Sequence, residues 1–386
     1  MGLDRTSRQA IHLKISHLVT YDSPDGAFGG PTRVAETQCE ELAARGHDVT
    51  LWAAAPVETP AEIHVSGYVK RLYPARSVSK RLGFAGTYAP GLTRDLIAHR
   101  PEVLHVHLAR DLVTLRGAAA AHRASLPFVV QPHGMIDRSS NLLAAPIDAV
   151  WTRPVLAAAH STFCLTEQEE RDIAEINPHA RVARIRNGLS LNRDTAGFDD
   201  KENRVVFLAR LHQRKRPQKF VEMALQVGRV CPDVKFALAG PDEGELDAVS
   251  ALVERSGLAD RFEIIGAVPP EETDTFLAKS RVYVLPSVGE VFPMTLIESF
   301  RVGTPSVVTN SLGIADDCIQ YGAAEVTDGS ASSMADAVIR ILTDKQHAQA
   351  LVRNALSYLS KELNIVDVAQ QLEHSYVAAI QREDRR

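Results

Sequence analysis

The sequence has few features that would direct it out of the cell or into a membrane. It contains four cysteines in 386 residues, and none of them forms a CxxC pair. Widely spaced cysteines predict neither a disulfide framework nor a zinc site, and they fit a reducing compartment. No apolar run reaches the roughly 18 residues that a membrane-spanning helix needs, and residues 1–8 lack the apolar segment of a secretory signal. We therefore expect a cytoplasmic protein.

A strong excess of either charge is also missing. The formal net charge is −5 and the isoelectric point is near 6.3, so no global basic field is available to hold nucleic acid. Apolar residues make up 45% of the chain and charged residues 24%, which is the balance of a globular protein. A chain of 386 residues is too long for one ordinary core and predicts two domains.

Short apolar runs alternate with longer helical patterns along nearly the whole chain. Up to residue 190 the pattern predicts one helix at 31–45 and strands at 11–20, 47–54, 103–108, 128–132, 162–165 and 182–185. After residue 200 it predicts strands at 204–209, 234–239, 262–265 and 282–285, with helices at 217–230, 243–256 and 271–279. Such alternation is typical of parallel sheets covered by helices, so we predict an α/β protein with two doubly wound domains.

The polar, weakly periodic stretch 190–203 is interpreted as the linker between these domains. The alternative is a long surface loop inside one domain. We place the first domain at 1–190 and the second at 203–365, and the last helix, at about 366–386, can pack back on the first domain. Open parallel sheets bind ligands at the carboxyl ends of their strands, so two such sheets predict a site in the cleft between them.

Basic and glycine residues follow predicted strands in both halves. Gly29 and Gly30 precede a helix whose first residue would be Pro31, a place where a helix N-terminus can meet an anion. Arg210 and Lys215 follow a strand of the second half and could face a diphosphate in the cleft. Taken singly, each pattern is also typical of an ordinary strand-to-helix turn.

Two glutamates at the start of a later helix form the strongest local pattern. Glu290 lies in the loop before a helix that would start near Pro293, and Glu298 lies in its early turns. The amides of three residues would stand at the positive end of that helix and could bind phosphate without a metal: Met294, Thr295 and Leu296. Glu298 could accept hydrogen bonds from ribose hydroxyls, and Glu290 from those of a sugar.

The spacing of Glu290 and Glu298 resembles the EX7E signature of retaining glycosyltransferases, and the whole chain resembles glycosyltransferase family 4, which has the GT-B fold of two Rossmann-like domains. Further matches follow the family's order along the chain: Gly29 and Gly30, His133, Asn187 and Gly188, Arg210 and Lys215, Gly240 and Pro241, and Gly266 to Val268. The resemblance implies that His133 stabilises positive charge on the donor sugar and that the loop ending at Val268 frames the donor base.

The resemblance implies transfer of a sugar from a nucleoside-diphosphate donor, with retention of configuration, to a sugar, lipid-linked or small-molecule acceptor in bacterial polysaccharide or glycoconjugate synthesis. The chain has no Asp-x-Asp triplet, so we expect neither a metal nor another cofactor. Where the family often has E-G-F-G, this chain has Val291, Phe292 and Pro293 after Glu290. A sugar-nucleotide epimerase and a catalytically inactive scaffold subunit stay open as alternatives.

Two further patterns have less certain roles. His105 and His107 share one face of a strand, but no third metal ligand has a usable spacing, so we expect them at a strand end near the acceptor. The segment 63–94 has six basic residues, several aromatic ones and neither Asp nor Glu. It could contact anionic lipid or a diphosphate-linked acceptor, and it could equally be a solvated basic loop and helix.

Overall fold

The computed structural model describes residues 12–22, 29–59, 61–79, 85–139, 144–191, 197–383 and 385. In the first half the strands are β1 (Lys14–Tyr21), β2 (Asp48–Ala55), β3 (Glu62–Val65), β4 (Tyr68–Pro74), β5 (Arg76–Ser77), β6 (Thr87–Tyr88), β7 (Val103–His107), β8 (Phe128–Gln131), β9 (Thr162–Cys164) and β10 (Val182–Arg184). In the second half they are β11 (Glu202–Leu208), β12 (Lys235–Ala239), β13 (Phe262–Gly266), β14 (Ser280–Leu285), β15 (Ser306–Thr309) and β16 (Glu325–Thr327).

Helices alternate with these strands. The first six are α1 (Gly29–Ala44), α2 (Leu92–Ala98), α3 (Thr114–Arg123), α4 (Ala144–Ile147), α5 (Arg153–Ala158) and α6 (Glu167–Ile176). The remaining eight are α7 (Pro217–Val230), α8 (Leu246–Glu254), α9 (Thr273–Ala278), α10 (Met294–Arg301), α11 (Ala315–Tyr321), α12 (Ala331–Thr343), α13 (Lys345–Glu362) and α14 (Ile365–Glu383). A π-helical turn at Asp148–Thr152 joins α4 to α5.

The strands form two large sheets, and the predicted fold class is confirmed. The first sheet has the order β10-β9-β8-β7-β1-β2-β4-β3 and is parallel except for the β3–β4 hairpin. The second has the order β13-β12-β11-β14-β15-β16 and is parallel throughout. Central strands such as β1 and β14 are almost wholly buried, because helices cover both faces of a parallel sheet.

The final helix leaves the second half of the chain and packs on the first sheet. Val368, Leu372 and Tyr376 of α14 are buried in the same apolar core as α1. Arg45 Nε lies 2.6 Å from Glu373 Oε1, which adds an ion pair to this contact. Periodicity predicted this helix but not where it docks, since docking depends on the surface that the first sheet offers. The domain limits 1–190 and 203–365 stay a prediction.

Several predicted boundaries differ from the structure. Helix α1 begins at Gly29, so Pro31 is its third residue, and β11 begins at Glu202, inside the predicted linker. Helix α8 begins at Leu246 because the Asp242 carboxylate accepts hydrogen bonds from the amides of residues 244–246 and holds them in a turn. The loop residues 25–28 and the linker residues 192–196 lie outside the described residues.

Part of the basic segment 63–94 is built into the first sheet as β3 and β4, so its interpretation as a solvated loop and helix is wrong for these two strands. Lys70 of β4 points inward and pairs with Asp22 and Glu36. Arg71 lies over the ring of the buried Trp52, 5.2 Å from its centroid. Lys80 and Arg81 lie outside the described residues, and contact of this segment with lipid stays a prediction.

None of the helices in the described part of the chain has the length and apolar character that crossing a bilayer requires. All four cysteines carry free thiols, and three of them are buried.

Candidate active site

One side of the cleft is built from residues that follow β11 and β14. Lys215 lies in a 3-10 turn, and its Nζ is 2.6 Å from Oε2 of Glu290 in the loop after β14. The backbone holds the two loops together, because the Val288 amide donates to the Arg214 carbonyl at 2.9 Å. Burial lowers the pKa of Lys215, and Glu290 opposes that shift. Two predicted site residues are thus brought together as a mostly buried ion pair.

Arg210 lies beside this pair but contacts a different carboxylate. Its Nη1 atom is 2.6 Å from Glu243 Oε1 and 2.9 Å from Oε2. The Arg210 side chain is 43% exposed, so solvent weakens this interaction. Sequence reasoning did not identify Glu243, which follows the strand β12 next to β11 and therefore reaches the same sheet edge.

Helix α10 presents fewer free amides than the sequence predicts. The Leu296 N–H donates to the Pro293 carbonyl at 3.2 Å within the first turn, and the assignment of Leu296 to phosphate binding stays a prediction. Proline at the residue before the helix favours this tight first turn. The amides of Met294 and Thr295 precede the first amide that donates within the helix, and they stay available. The Thr295 hydroxyl bonds the Tyr283 hydroxyl at 2.7 Å, which fixes the start of the helix on β14.

Glu298 is buried and reaches across the cleft. Its Oε1 atom lies 2.7 Å from Nη2 of Arg33, which belongs to α1 in the first half of the chain. Its Oε2 atom is buried without a hydrogen-bond partner. Burial raises the pKa of Glu298, and Arg33 lowers it in part. We did not predict Arg33, although its position one turn after Gly30 on an anion-facing helix was a usable signal.

The loops after β12 and β13 meet at the end of β11. Gly240 has φ +146°, and a Cβ there would lie 1.9 Å from the Ala209 carbonyl oxygen, so only glycine fits. The Gly240 amide donates to the Gly266 carbonyl at 2.6 Å. Val268 packs, partly buried, against the core of the second sheet. These contacts place the predicted base-framing loops side by side.

The other side of the cleft is the loop after β8. His133 has φ +54°, a left-handed conformation that is uncommon for a residue with a side chain. Gly134 follows it, and a Cβ on Gly134 would lie 2.4 Å from a methyl carbon of Val291. The loop of His133 therefore touches the loop that carries Glu290. Gly30 lies at the start of α1, and a Cβ there would meet no atom within 4 Å.

A buried carboxylate holds the His133 loop in place. Glu169 of α6 accepts hydrogen bonds from the Gly134 amide at 2.5 Å and from the Leu165 amide at 2.7 Å. Burial raises the pKa of Glu169 to about 7. We did not predict this residue, but the Thr166-to-Glu169 spacing is that of a capping box, and Thr166 does cap the helix. The carboxylate differs from that motif by bonding the neighbouring loop.

Four histidines and a tyrosine form a hydrogen-bonded chain behind His133. His133 Nε2 lies 2.8 Å from His107 Nδ1, and His107 Nε2 lies 3.1 Å from His17 Nδ1. His17 Nε2 lies 3.3 Å from the Tyr376 hydroxyl, which lies 2.8 Å from His105 Nδ1. Burial lowers the pKa of His133 and of His17 to about 3 and keeps both imidazoles neutral.

His107 is the last residue of β7, as predicted for a strand end, but both His105 and His107 are buried members of this chain, and their place near the acceptor stays a prediction. The third histidine that the sequence did not reveal is His17 of the neighbouring strand, and the ligand atoms of all three lie within 4.8 Å of one another. The rings of His105 and His107 stack at 16° with centroids 4.5 Å apart. Because an imidazole lone pair lies in its ring plane, these stacked rings do not point at one common ion.

Family comparisons agree with this geometry. A family model described as Glycosyltransferase Family 4 matches residues 28–193, and one described as Glycosyl transferases group 1 matches residues 190–358. Between them they cover the second sheet, every strand of the first sheet except β1, and the loops just described. The chain belongs to glycosyltransferase family 4.

Curated relatives of this glycosyltransferase are identical to it at about a quarter of the aligned residues. Alpha-D-kanosaminyltransferase of Streptomyces kanamyceticus is 24% identical over 87% of this chain and 96% of its own. A UDP-Gal:alpha-D-GlcNAc-diphosphoundecaprenol alpha-1,3-galactosyltransferase of Escherichia coli is 22% identical over 72% and 75%. A 2-deoxystreptamine N-acetyl-D-glucosaminyltransferase of Niallia circulans is 30% identical, over 38% of each chain.

Solved structures show the same GT-B fold. Sucrose-phosphate synthase from Thermosynechococcus elongatus superposes with a TM-score of 0.76 at 18% identity, over 95% of this chain and 99% of its own. Anabaena HepE in complex with UDP and glucose superposes with a TM-score of 0.74 at 17% identity, over 95% and 100%. At this level of identity the likeness establishes the fold of this glycosyltransferase and not its substrates.

Proposed function

We propose that this glycosyltransferase transfers a sugar from a nucleoside-diphosphate donor to a hydroxyl acceptor, with retention of configuration and without a metal. One observation carries the proposal: Lys215, Glu290 and the free amides of α10 lie at one sheet edge, and the Gly134–Val291 contact brings His133 to the same place. Cationic and neutral donors thus surround a space where a diphosphate and its sugar can lie.

The ion pair of Lys215 and Glu290 has a role in this reaction. A diphosphate beside Lys215 competes with Glu290 for the ammonium group and releases the carboxylate toward the sugar hydroxyls. The amides of Met294 and Thr295 then add two uncharged donors at the positive end of α10. As the bond between the sugar and the diphosphate breaks, these groups stabilise the negative charge that collects on the leaving phosphate.

The nucleoside occupies the region between Glu298 and the glycine loops. The free Oε2 atom of Glu298 accepts a hydrogen bond from a ribose hydroxyl, while Oε1 stays with Arg33. The loop that ends at Val268 frames the base. His133 faces the sugar, and its neutral imidazole adds no positive charge next to a carbon that becomes positive itself. We expect attack on the same face as departure, which retains the anomeric configuration.

The acceptor class follows from the relatives. Their names specify 2-deoxystreptamine, an aminocyclitol, and a GlcNAc-diphosphoundecaprenol lipid as acceptors, so we propose a sugar, lipid-linked or small-molecule acceptor in bacterial polysaccharide or glycoconjugate synthesis. The departure at Val291, Phe292 and Pro293 changes the loop between donor and acceptor. Val291 fills the space that Gly134 leaves open, so this loop is packed against the loop of His133.

Thermal unfolding in the presence of UDP-, GDP- and ADP-sugars tests the donor site, because a ligand that binds the folded state raises its apparent stability. The donor that stabilises the wild type is then measured by calorimetry with Arg210→Ala, Lys215→Ala and Glu298→Ala. We expect weaker binding in each. Unchanged binding in all three would refute the donor site, and failure of every nucleotide to bind would favour the inactive scaffold.

Product analysis tests the reaction. Transfer requires that product appear only when an acceptor is added, and NMR of the new glycosidic bond shows whether the configuration is retained. Rapid release of nucleoside diphosphate from donor alone would favour the epimerase, and an inverted product would contradict the retaining mechanism. Full activity after treatment with a chelator is the expected result, and its loss would contradict metal independence.

A further inference from the structure

The chain of four histidines and Tyr376 contains a fixed number of protons. Each neutral imidazole carries one N–H and the tyrosine carries one O–H, which makes five protons for the four hydrogen bonds described above. If each bond uses one proton, one proton remains. It must lie at one of the two free ends of the chain, which are His105 Nε2 and His133 Nδ1.

These two ends differ in what surrounds them. His105 Nε2 is buried and has no hydrogen-bond partner. The His105 ring makes T-shaped contacts with the rings of Tyr376 and Phe163 and has no exposed surface. His133 is partly exposed at the cleft, and within the described residues no group bonds its Nδ1. A buried N–H without an acceptor is costlier than a buried lone pair without a donor, so the remaining proton belongs at the cleft.

We propose that this buried chain fixes His133 as a hydrogen-bond donor, with Nδ1–H facing the cleft and a bare Nε2 held by His107 Nδ1–H. Every bond then runs in one direction: His105 donates to Tyr376, Tyr376 to His17, His17 to His107 and His107 to His133. In this state His133 cannot accept a proton from an acceptor hydroxyl through the cleft-facing nitrogen. It can only donate to an oxygen.

This inference rests on the proposed function for what that oxygen is. In a sugar-nucleotide complex it is a hydroxyl or phosphate oxygen of the donor. His105, His17, His107 and Tyr376 touch no substrate and are therefore positioning residues, which act by setting the tautomer of His133. The proton count itself needs no ligand, so it can be tested separately from the donor site.

The first experiment is nitrogen NMR of the full chain labelled with ¹⁵N-histidine, recorded without any sugar nucleotide. The signals of His133 are assigned from their loss in His133→Ala. We expect the wild type to carry its proton on Nδ1 of both His133 and His107. A wild-type His133 protonated on Nε2 would overturn the proposal, whether or not the donor site is correct.

Two variants at His17 test the direction in which the hydrogen bonds of the chain run. One variant should preserve this direction and the other should reverse it. In His17→Asn the amide group can still donate to His107 Nε2, whereas in His17→Asp a carboxylate can only accept from it. We expect His17→Asn to keep the proton of His133 on Nδ1 and His17→Asp to move it to Nε2. We expect kcat to fall roughly 100-fold in His17→Asp alone, with nucleoside diphosphate affinity unchanged, because one preorganised donor is lost.

Two results for these variants would contradict the proposal. One is a reversed tautomer of His133 in His17→Asp with unchanged kcat, which would remove the donor role. The other is the same tautomer of His133 in both variants, which would show that the histidine chain does not set that tautomer. If His17→Asp does not fold, the tautomer of His133 in the wild type still tests the proposal. Loss of nucleotide binding in Lys215→Ala tests the donor site independently.

Discussion

The two sides of the cleft are built from different chemistry. In the second half of the chain, Lys215 and Arg210 are cations that each pair with a carboxylate. In the first half, His133 is neutral and lies at the end of a chain of buried neutral rings. In the proposed reaction, the side that meets the leaving phosphate thus offers positive charge. The His133 loop, which we propose meets the sugar, offers none, and a cation there would oppose the positive charge that the sugar carbon gains.

Removing the neutral side should have the largest effect. We expect His133→Ala to reduce transfer by roughly 100- to 1000-fold, the usual cost of losing one preorganised donor. Nucleoside diphosphate affinity should not change, because the phosphate contacts belong to the other side. The control is His179→Ala, an exposed histidine before β10. Transfer at the wild-type rate by His133→Ala would show that the His133 side of the cleft does not contribute to the reaction.

The second prediction concerns the charge of Glu169, the buried residue that holds the His133 loop in place. Burial raises its pKa from about 4.5 to about 7, so the folded protein holds this proton more tightly than the unfolded chain does. The contribution of Glu169 to the free energy of unfolding therefore falls as pH rises from about 4.5 to about 7, by on the order of 3 kcal/mol.

We expect Glu169→Gln to lack this part of the pH dependence. Chemical denaturation of both proteins between pH 5 and pH 8 measures it as the difference between the two free energies. As pH rises, the free energy of unfolding of the wild type should fall relative to that of Glu169→Gln. A constant difference over this range would show that the carboxylate is not held in a costly buried position.

On the charged side, Lys215→Ala should weaken nucleoside diphosphate binding by about 1.5–3 kcal/mol, the contribution of a charged hydrogen bond. The matched control is Lys219→Ala, a half-exposed lysine on α7 that pairs with Glu222. Calorimetry with each variant gives the two affinities. Equal affinities would show that the cations of the second half do not bind the phosphate.

The smallest effect concerns the ion pair that joins the two sides. Arg33→Ala should lower the free energy of unfolding by about 1 kcal/mol, since Arg33 is a third exposed and Glu298 can take up a proton. Nucleotide binding should then weaken as pH falls. Arg45→Ala removes an arginine of similar exposure, with its ion pair, from the other end of α1 and should leave nucleotide affinity unchanged. If Arg33→Ala and Arg45→Ala bind the nucleotide with the same affinity, Arg33 does not contribute to nucleotide binding.

Local patterns predicted the sheets well because each strand and helix shows its period in its own residues. The limits of α7, 217–230, agree with the prediction at both ends. The hairpin of β3 and β4 was missed, because its basic residues hide the alternation and the partners of Lys70 lie elsewhere in the chain. Residues after strands could be named as site candidates, since parallel topology brings strand ends to one edge.

Contacts between distant segments could not be read in this way. Arg33 and Glu298 are joined across the cleft by 2.7 Å, and nothing in either segment specifies the other. Whether the Leu296 amide is free could not be read either, because its bond to the Pro293 carbonyl depends on the geometry of one turn. Glu169 had a visible capping-box spacing, but its use for the Gly134 loop depends on how α6 lies against β8.

The sequence by itself determined the alternation of strands and helices, the two-sheet architecture and the cationic residues of the second half, since these follow from period, residue type and order. Only the tertiary structure decided that His17, His105, His107 and Tyr376 meet behind His133, because they come from two strands and the last helix. Hydrogen bonds among them depend on distances of about 3 Å, and only packing of the whole fold sets distances between residues this far apart in sequence.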